Sequence, residues 1–92
     1  MNVFVYRETN DNNAFGEELI KIFSERDLAE RFLKSRVELF FREPWERCVE
    51  IVREEGGVIW PAYVEYPDGD GYNFFTVESQ IVCQDCWHEE KK

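Results

Sequence analysis

Basic residues are scarce in the second half of this 92-residue chain: no lysine or arginine lies between Arg53 and Lys91. Residues 48–92 hold three Lys/Arg against ten Asp/Glu, a net −7, whereas residues 1–47 hold eight against ten, a net −2. Affinity for a phosphate backbone comes from Lys and Arg releasing condensed counterions, so an overall charge of −9 argues against direct binding to DNA or RNA. No apolar run approaches the roughly 20 residues that cross a bilayer, and no apolar stretch follows a basic N-terminus as a secretion signal would require. The three cysteines are an odd count, which does not suit a disulfide framework. The expectation is a soluble, cytoplasmic protein without a membrane role. Histidine occurs once, at position 88, and neither a glycine-rich phosphate loop nor a nucleophile elbow is present. Repeats and low-complexity tracts are missing too, and the length suits one modest core: residues 1–82 as a single α+β domain, residues 83–92 as a tail.

What is there is a legible series of elements. "VFVYR" (3–7) and "ELIKIF" (18–23) are β-branched and aromatic, and the Asn, Asp and Gly between them supply turns, so residues 3–23 read as a hairpin with a long polar loop. Ser24 followed by Asp27 resembles a helix N-terminus and places the start near Glu25, with the serine oxygen as cap. Leu28, Ala29, Phe32, Leu33, Val37, Phe40 and Phe41 then recur at three- and four-residue intervals, one face of a helix. Pro44 breaks the pattern near Arg42 and Glu43 and suits the first turn of a second helix over about 44–55, ended by Gly56-Gly57. Within it Trp45, Cys48, Val49 and Val52 form the apolar stripe.

"VIWPAYVEY" (58–66) is β-rich, with Pro61 suited to an edge or a bulge. "PDGDG" (67–71) is a turn, and "YNFFTVESQIV" (72–82) alternates so that Phe75, Val77, Ser79 and Ile81 share a face. Taken as one strand, 58–66 gives the order ββααββ: an antiparallel four-stranded sheet with two helices packed on one face.

The pieces "VFVYR", "ELIKIFSERDLAERFL" and "YNFFTVESQIV" resemble a recurrent type of small bacterial and phage protein, in which a hairpin leads through "FS" into a charged helix and a strand closes the sheet. The resemblance covers about half the chain. It implies a fold and a microbial or phage setting; no activity is assigned to the type, so it implies no functional residues.

Two groups of residues could carry function. At the C-terminus Cys83, Cys86 and His88 give three zinc donors, one short of a structural site, with Cys48 or a second chain as the fourth. This is the metal-stabilised homodimer reading, with zinc as its cofactor; the plain alternative is a loosely packed tail. Trp87 separates Cys86 from His88 and rules out the C-x-x-C-H of haem attachment. The second group interleaves the late acids with rings: Trp60, Tyr63, Glu65, Tyr66, Asp68, Asp70, Tyr72 and Phe74. A calcium loop starting at Asp68 fails, since Asn73 and Ser79 stand where glycine and glutamate are needed. Alternation sends neighbours such as Phe74 and Phe75 to opposite faces of a sheet, so some rings must be exposed, covered by a partner, or packed in a small second cluster. The leading expectation is a non-enzymatic interaction module without a cofactor, whose acidic, aromatic later half docks on a basic surface of a protein partner. A phage inhibitor or DNA mimic occupying a nucleic-acid-binding surface is one form of it; a self-associating domain is the remaining alternative.

Overall fold

The computed structural model describes residues 2–10, 18–68 and 71–81. Strands β1 (Asn2–Asn10) and β2 (Glu18–Phe23) are followed by helices α1 (Arg26–Phe41) and α2 (Trp45–Glu54), then by β3 (Val58–Trp60), β4 (Tyr63–Asp68) and β5 (Gly71–Ile81). The protein is α+β, and its sheet has five antiparallel strands in the order β2-β1-β5-β4-β3. The first and last strands are therefore central neighbours, with Asn2–Asn10 paired along Asn73–Ile81.

The four-strand expectation is corrected at Pro61. Residues 58–66 are two strands folded on each other, with Trp60 opposite Tyr63 across a two-residue turn made by Pro61 and Ala62. Proline at the first central position presets the φ a turn needs, and its missing N–H would have gapped a continuous ladder. The Ala62 carbonyl stays within the sheet by accepting the Val77 N–H at 2.8 Å. At the other end, Gly57 lets the chain pass β4. A Cβ there would collide with the Glu65 carbonyl oxygen and lie 2.8 Å from Val52 Cγ1, so no larger residue fits without displacing backbone.

The helices lie over the same side of the sheet but divide it unequally. Helix α1 crosses β1, β5 and β2, whereas α2 packs on α1 and the short edge strand β3. Their shared core joins Tyr6, Leu33, Val37, Cys48, Val52, Ile59, Val64 and Phe75. The buried residues of α1 are Ala29, Leu33 and Val37, one per turn, as the apolar stripe requires. Rings on this side pack edge to face: Phe32 against Tyr6 with centroids 4.9 Å apart, and Phe41 against Tyr66 at the same distance. Each such pair adds roughly 0.5–1.5 kcal/mol beyond the area it buries.

The elbow between the helices depends on Glu38. Its carbonyl accepts the Arg42 and Glu43 N–H groups, with Arg42 in the left-handed region at φ 59°, which ends α1. Its carboxylate accepts the Trp45 N–H at 2.8 Å, placing negative charge at the positive end of α2. Pro44 takes the cap position of α2 rather than its first turn. The serine cap expected for α1 does not form either: Glu25 occupies the cap position, with no side-chain bond to the backbone. Helix α2 stops as expected, with Gly56 at φ 85° and the Gly57 N–H returned to the Val52 carbonyl at 2.8 Å.

One ionic group links helix to sheet. Arg36 of α1 grips Glu8 of β1 with two bonds, Nε to Oε1 at 2.7 Å and Nη2 to Oε2 at 3.0 Å, while the buried Tyr6 hydroxyl donates to Oε1 at 2.7 Å. Burial alone would raise the Glu8 pKa, but the Arg36 and Tyr6 bonds outweigh it and hold the carboxyl below its ordinary range. Burial, then the bond to Glu8, pushes the Tyr6 phenol upward, so it remains a donor.

Candidate docking face of the sheet

Strand alternation assigns every sheet residue to one of two sides. The helix side takes Phe4, Tyr6 and Glu8 of β1 and, by register, Phe75 and Val77 of β5, Val64 and Tyr66 of β4 and Ile59 of β3. No described element covers the other side. Two rows cross it from edge to edge: Glu18, Thr9, Phe74, Glu65, Val58, and beside it Ile20, Arg7, Thr76, Tyr63, Trp60. A third, shorter row holds Ile22, Val5 and Glu78.

The open face therefore has two districts. Toward β2 it is aliphatic, with Ile20 and Ile22 exposed around a sheltered Val5. Toward β3 it is aromatic: Trp60 is 60% exposed and Tyr72 43%, and the Tyr72 and Phe74 rings stack at 5.9 Å along β5. Glu65 sits inside this aromatic district, opposite Phe74 on one neighbour strand and Val58 on the other. The Tyr63 hydroxyl donates to Glu65 Oε1 at 2.6 Å, and that bond, ahead of burial, pushes the phenol up to about 12.

The charges on this side are unbalanced. Arg7 pairs with Glu18 at 3.8 Å, and Thr9 also donates to Glu18 at 3.2 Å. The other ion pairs among the described residues, Arg36 with Glu8 and Arg47 with Glu50, leave Glu65 and Glu78 without a cation. Among the described residues, no basic residue of α1 pairs with Glu65 or Glu78. Glu54 and Glu55 lie apart from the face, at the exposed end of α2.

Of the residues singled out from the sequence, Trp60, Tyr63, Glu65, Tyr72 and Phe74 are thus brought together. Tyr66 is not. It lies on the helix side between Phe40 and Phe41, because the Pro61-Ala62 turn sets Trp60 and Tyr63 in one row and leaves Tyr66 out of phase with both. Asp68 closes the β4–β5 pairing opposite Gly71 through its backbone, and Asp70 lies outside the described residues. Cys83, Cys86 and His88 also lie outside them. Cys48, the candidate fourth zinc donor, is fully buried, with Sγ 3.5 Å from the Glu43 carbonyl; burial, then the charges of Glu38 and Glu43, raises its thiol pKa. It packs as a small apolar side chain. Among the described residues no three His, Cys, Asp or Glu side chains converge as metal ligands, and no helix is long and apolar enough to cross a membrane.

Sequence reasoning missed Ile20, Ile22, Val58 and Glu78 as members of this face. The alternation of "ELIKIF" put Ile20 and Ile22 on one side, but which side the helices cover is a tertiary fact. A shallow cleft of about 230 Å³ between α1 and the β3–β4 turn, lined by Asp27, Glu30, Arg31, Lys34 and Pro61, is small for an organic ligand and carries both signs of charge. No family model, curated protein or solved structure matches the chain.

Proposed function

We propose that the protein is a non-enzymatic interaction module whose open sheet face docks on a basic surface of another protein. The observation that carries this reading is the open aromatic district of β3, β4 and β5 with Glu65 and Glu78 on the same face and, among the described residues, no unpaired cation there. Large rigid rings give contact area at little cost in side-chain entropy, and complementary potential speeds encounter and fixes orientation. A nucleic-acid-binding channel is a surface of the required charge, which keeps the inhibitor form of the reading in view. Replacing Glu65 and Glu78 by Lys, with Trp60→Ala, should abolish salt-sensitive capture of a basic partner, while Glu54→Lys at the exposed end of α2 should leave capture intact. Equal capture by both variants would refute the reading.

A further inference from the structure

We propose that Glu65, with the Phe74 and Tyr72 rings beside it, is a receptor for an arginine side chain of the docking partner, an inference that rests on the open face being a docking surface. The chain shields aromatic faces in its helical layer with its own cations: Lys21 over Phe32 at 5.9 Å, Arg26 over Phe4 at 5.6 Å and Lys34 over Trp45 at 5.4 Å. Among the described residues no cation of the chain stands over Trp60, Tyr63, Tyr72 or Phe74. Glu65 is aimed by the Tyr63 hydroxyl on Oε1, and Oε2 has no hydrogen-bond partner among the described residues. The group is therefore a carboxylate oriented by a phenol, half-buried among rings, with an acceptor oxygen to spare.

A planar cation satisfies all of these features at once. A guanidinium lying over Phe74 points its N–H groups outward in the ring's plane, and Glu65 is the side chain directly across from Phe74 on the next strand. The bond to the carboxylate is charge-assisted and can use two donors, as Arg36 already does with Glu8 on the other side of the sheet. A lysine ammonium is a compact, strongly hydrated point charge that cannot lie flat on the ring while bonding two acceptors. The raised Tyr63 pKa keeps the phenol a donor to Glu65 at neutral pH.

Calorimetric titration at low salt with the peptide acetyl-Gly-Arg-Gly-Arg-Gly-amide, and with its lysine counterpart, tests the assignment. The arginine peptide should bind at least about fivefold more tightly than the lysine one, and Glu65→Gln and Phe74→Leu should each weaken it by about fivefold or more. Urea midpoints close to the parent's show that the variants fold. No binding, equal affinity for the two peptides, or parental affinity in Glu65→Gln overturns the receptor. The two readings fail separately: if the Glu65→Lys, Glu78→Lys, Trp60→Ala variant loses the basic partner while Glu65→Gln holds it as before, the face docks and the arginine receptor is wrong; if the triple variant holds the partner too, the docking reading itself fails.

Discussion

Replacing Arg36 by Met tests how far the helix layer depends on one polar contact. The substitution keeps the stem's length and its packing on β1 but removes both donors to Glu8, leaving a carboxylate that is 25% exposed with Tyr6 as its remaining partner. Breaking a fully buried ion pair costs about 3–5 kcal/mol, and a surface pair is worth about 0.2–1 kcal/mol. With about a third of Arg36 and a quarter of Glu8 in solvent, the expected loss is roughly 2 kcal/mol at pH 7. For a chain of this size that is a fall of about 1–2 M in the urea midpoint. The pH dependence carries the sign. Glu8 has a lowered pKa in the folded state, so its contribution is complete above the ordinary glutamate value and disappears as pH falls through the folded one. The gap between parent and Arg36→Met should therefore narrow in acid. A double-mutant cycle with Glu8→Gln should give a coupling of about 1–2 kcal/mol. A midpoint shift under about 0.3 M, or a gap that widens as Glu8 protonates, would refute the reasoning.

Asn73 is 1% exposed on the helix side of β5, and among the described residues neither its amide nitrogen nor its amide oxygen has a hydrogen-bond partner. Since each buried unpaired polar group costs about 1–3 kcal/mol and valine suits a strand, Asn73→Val should raise stability by roughly 1–2 kcal/mol in urea unfolding. A destabilised variant would mean the amide has a partner. Arg42 holds a left-handed conformation that glycine adopts without strain, so Arg42→Gly should stabilise the elbow by roughly 0.5–1 kcal/mol, read as a higher melting temperature. Gly57→Ala should do the opposite, losing about 2 kcal/mol or more by driving a methyl into the Glu65 carbonyl.

Much of the element series is written locally, and the assembly is not. The helix stop at Gly56-Gly57 and the break at Arg42 could be read because glycine and proline act on their own backbone. The alternation of Phe75, Val77 and Ser79 could be read because period two is local. The pairing of β1 with β5 joins residues more than sixty positions apart and leaves no trace in either segment. Pro61 was recognisable as a ladder breaker, but "WPAY" lacks the Asn, Asp or Gly that signals a two-residue hairpin, so the extra strand stayed hidden. Losing that turn also lost the phase of the aromatic residues, which is why Tyr66 sits with Phe40 and Phe41 instead of with Trp60 and Tyr63. The Trp45 N–H is capped by Glu38, seven residues back, a distance no capping pattern searches.

Amide and indole shifts of the labelled protein, followed while the arginine peptide is added at low salt, report most directly whether the uncovered side of the sheet receives a cationic partner. The account predicts shifts confined to Val58–Trp60, Tyr63–Glu65 and Tyr72–Thr76, the Trp60 indole among them, fading as salt is raised. Shifts centred on the outer surfaces of α1 and α2, or none at any concentration of peptide, would contradict it.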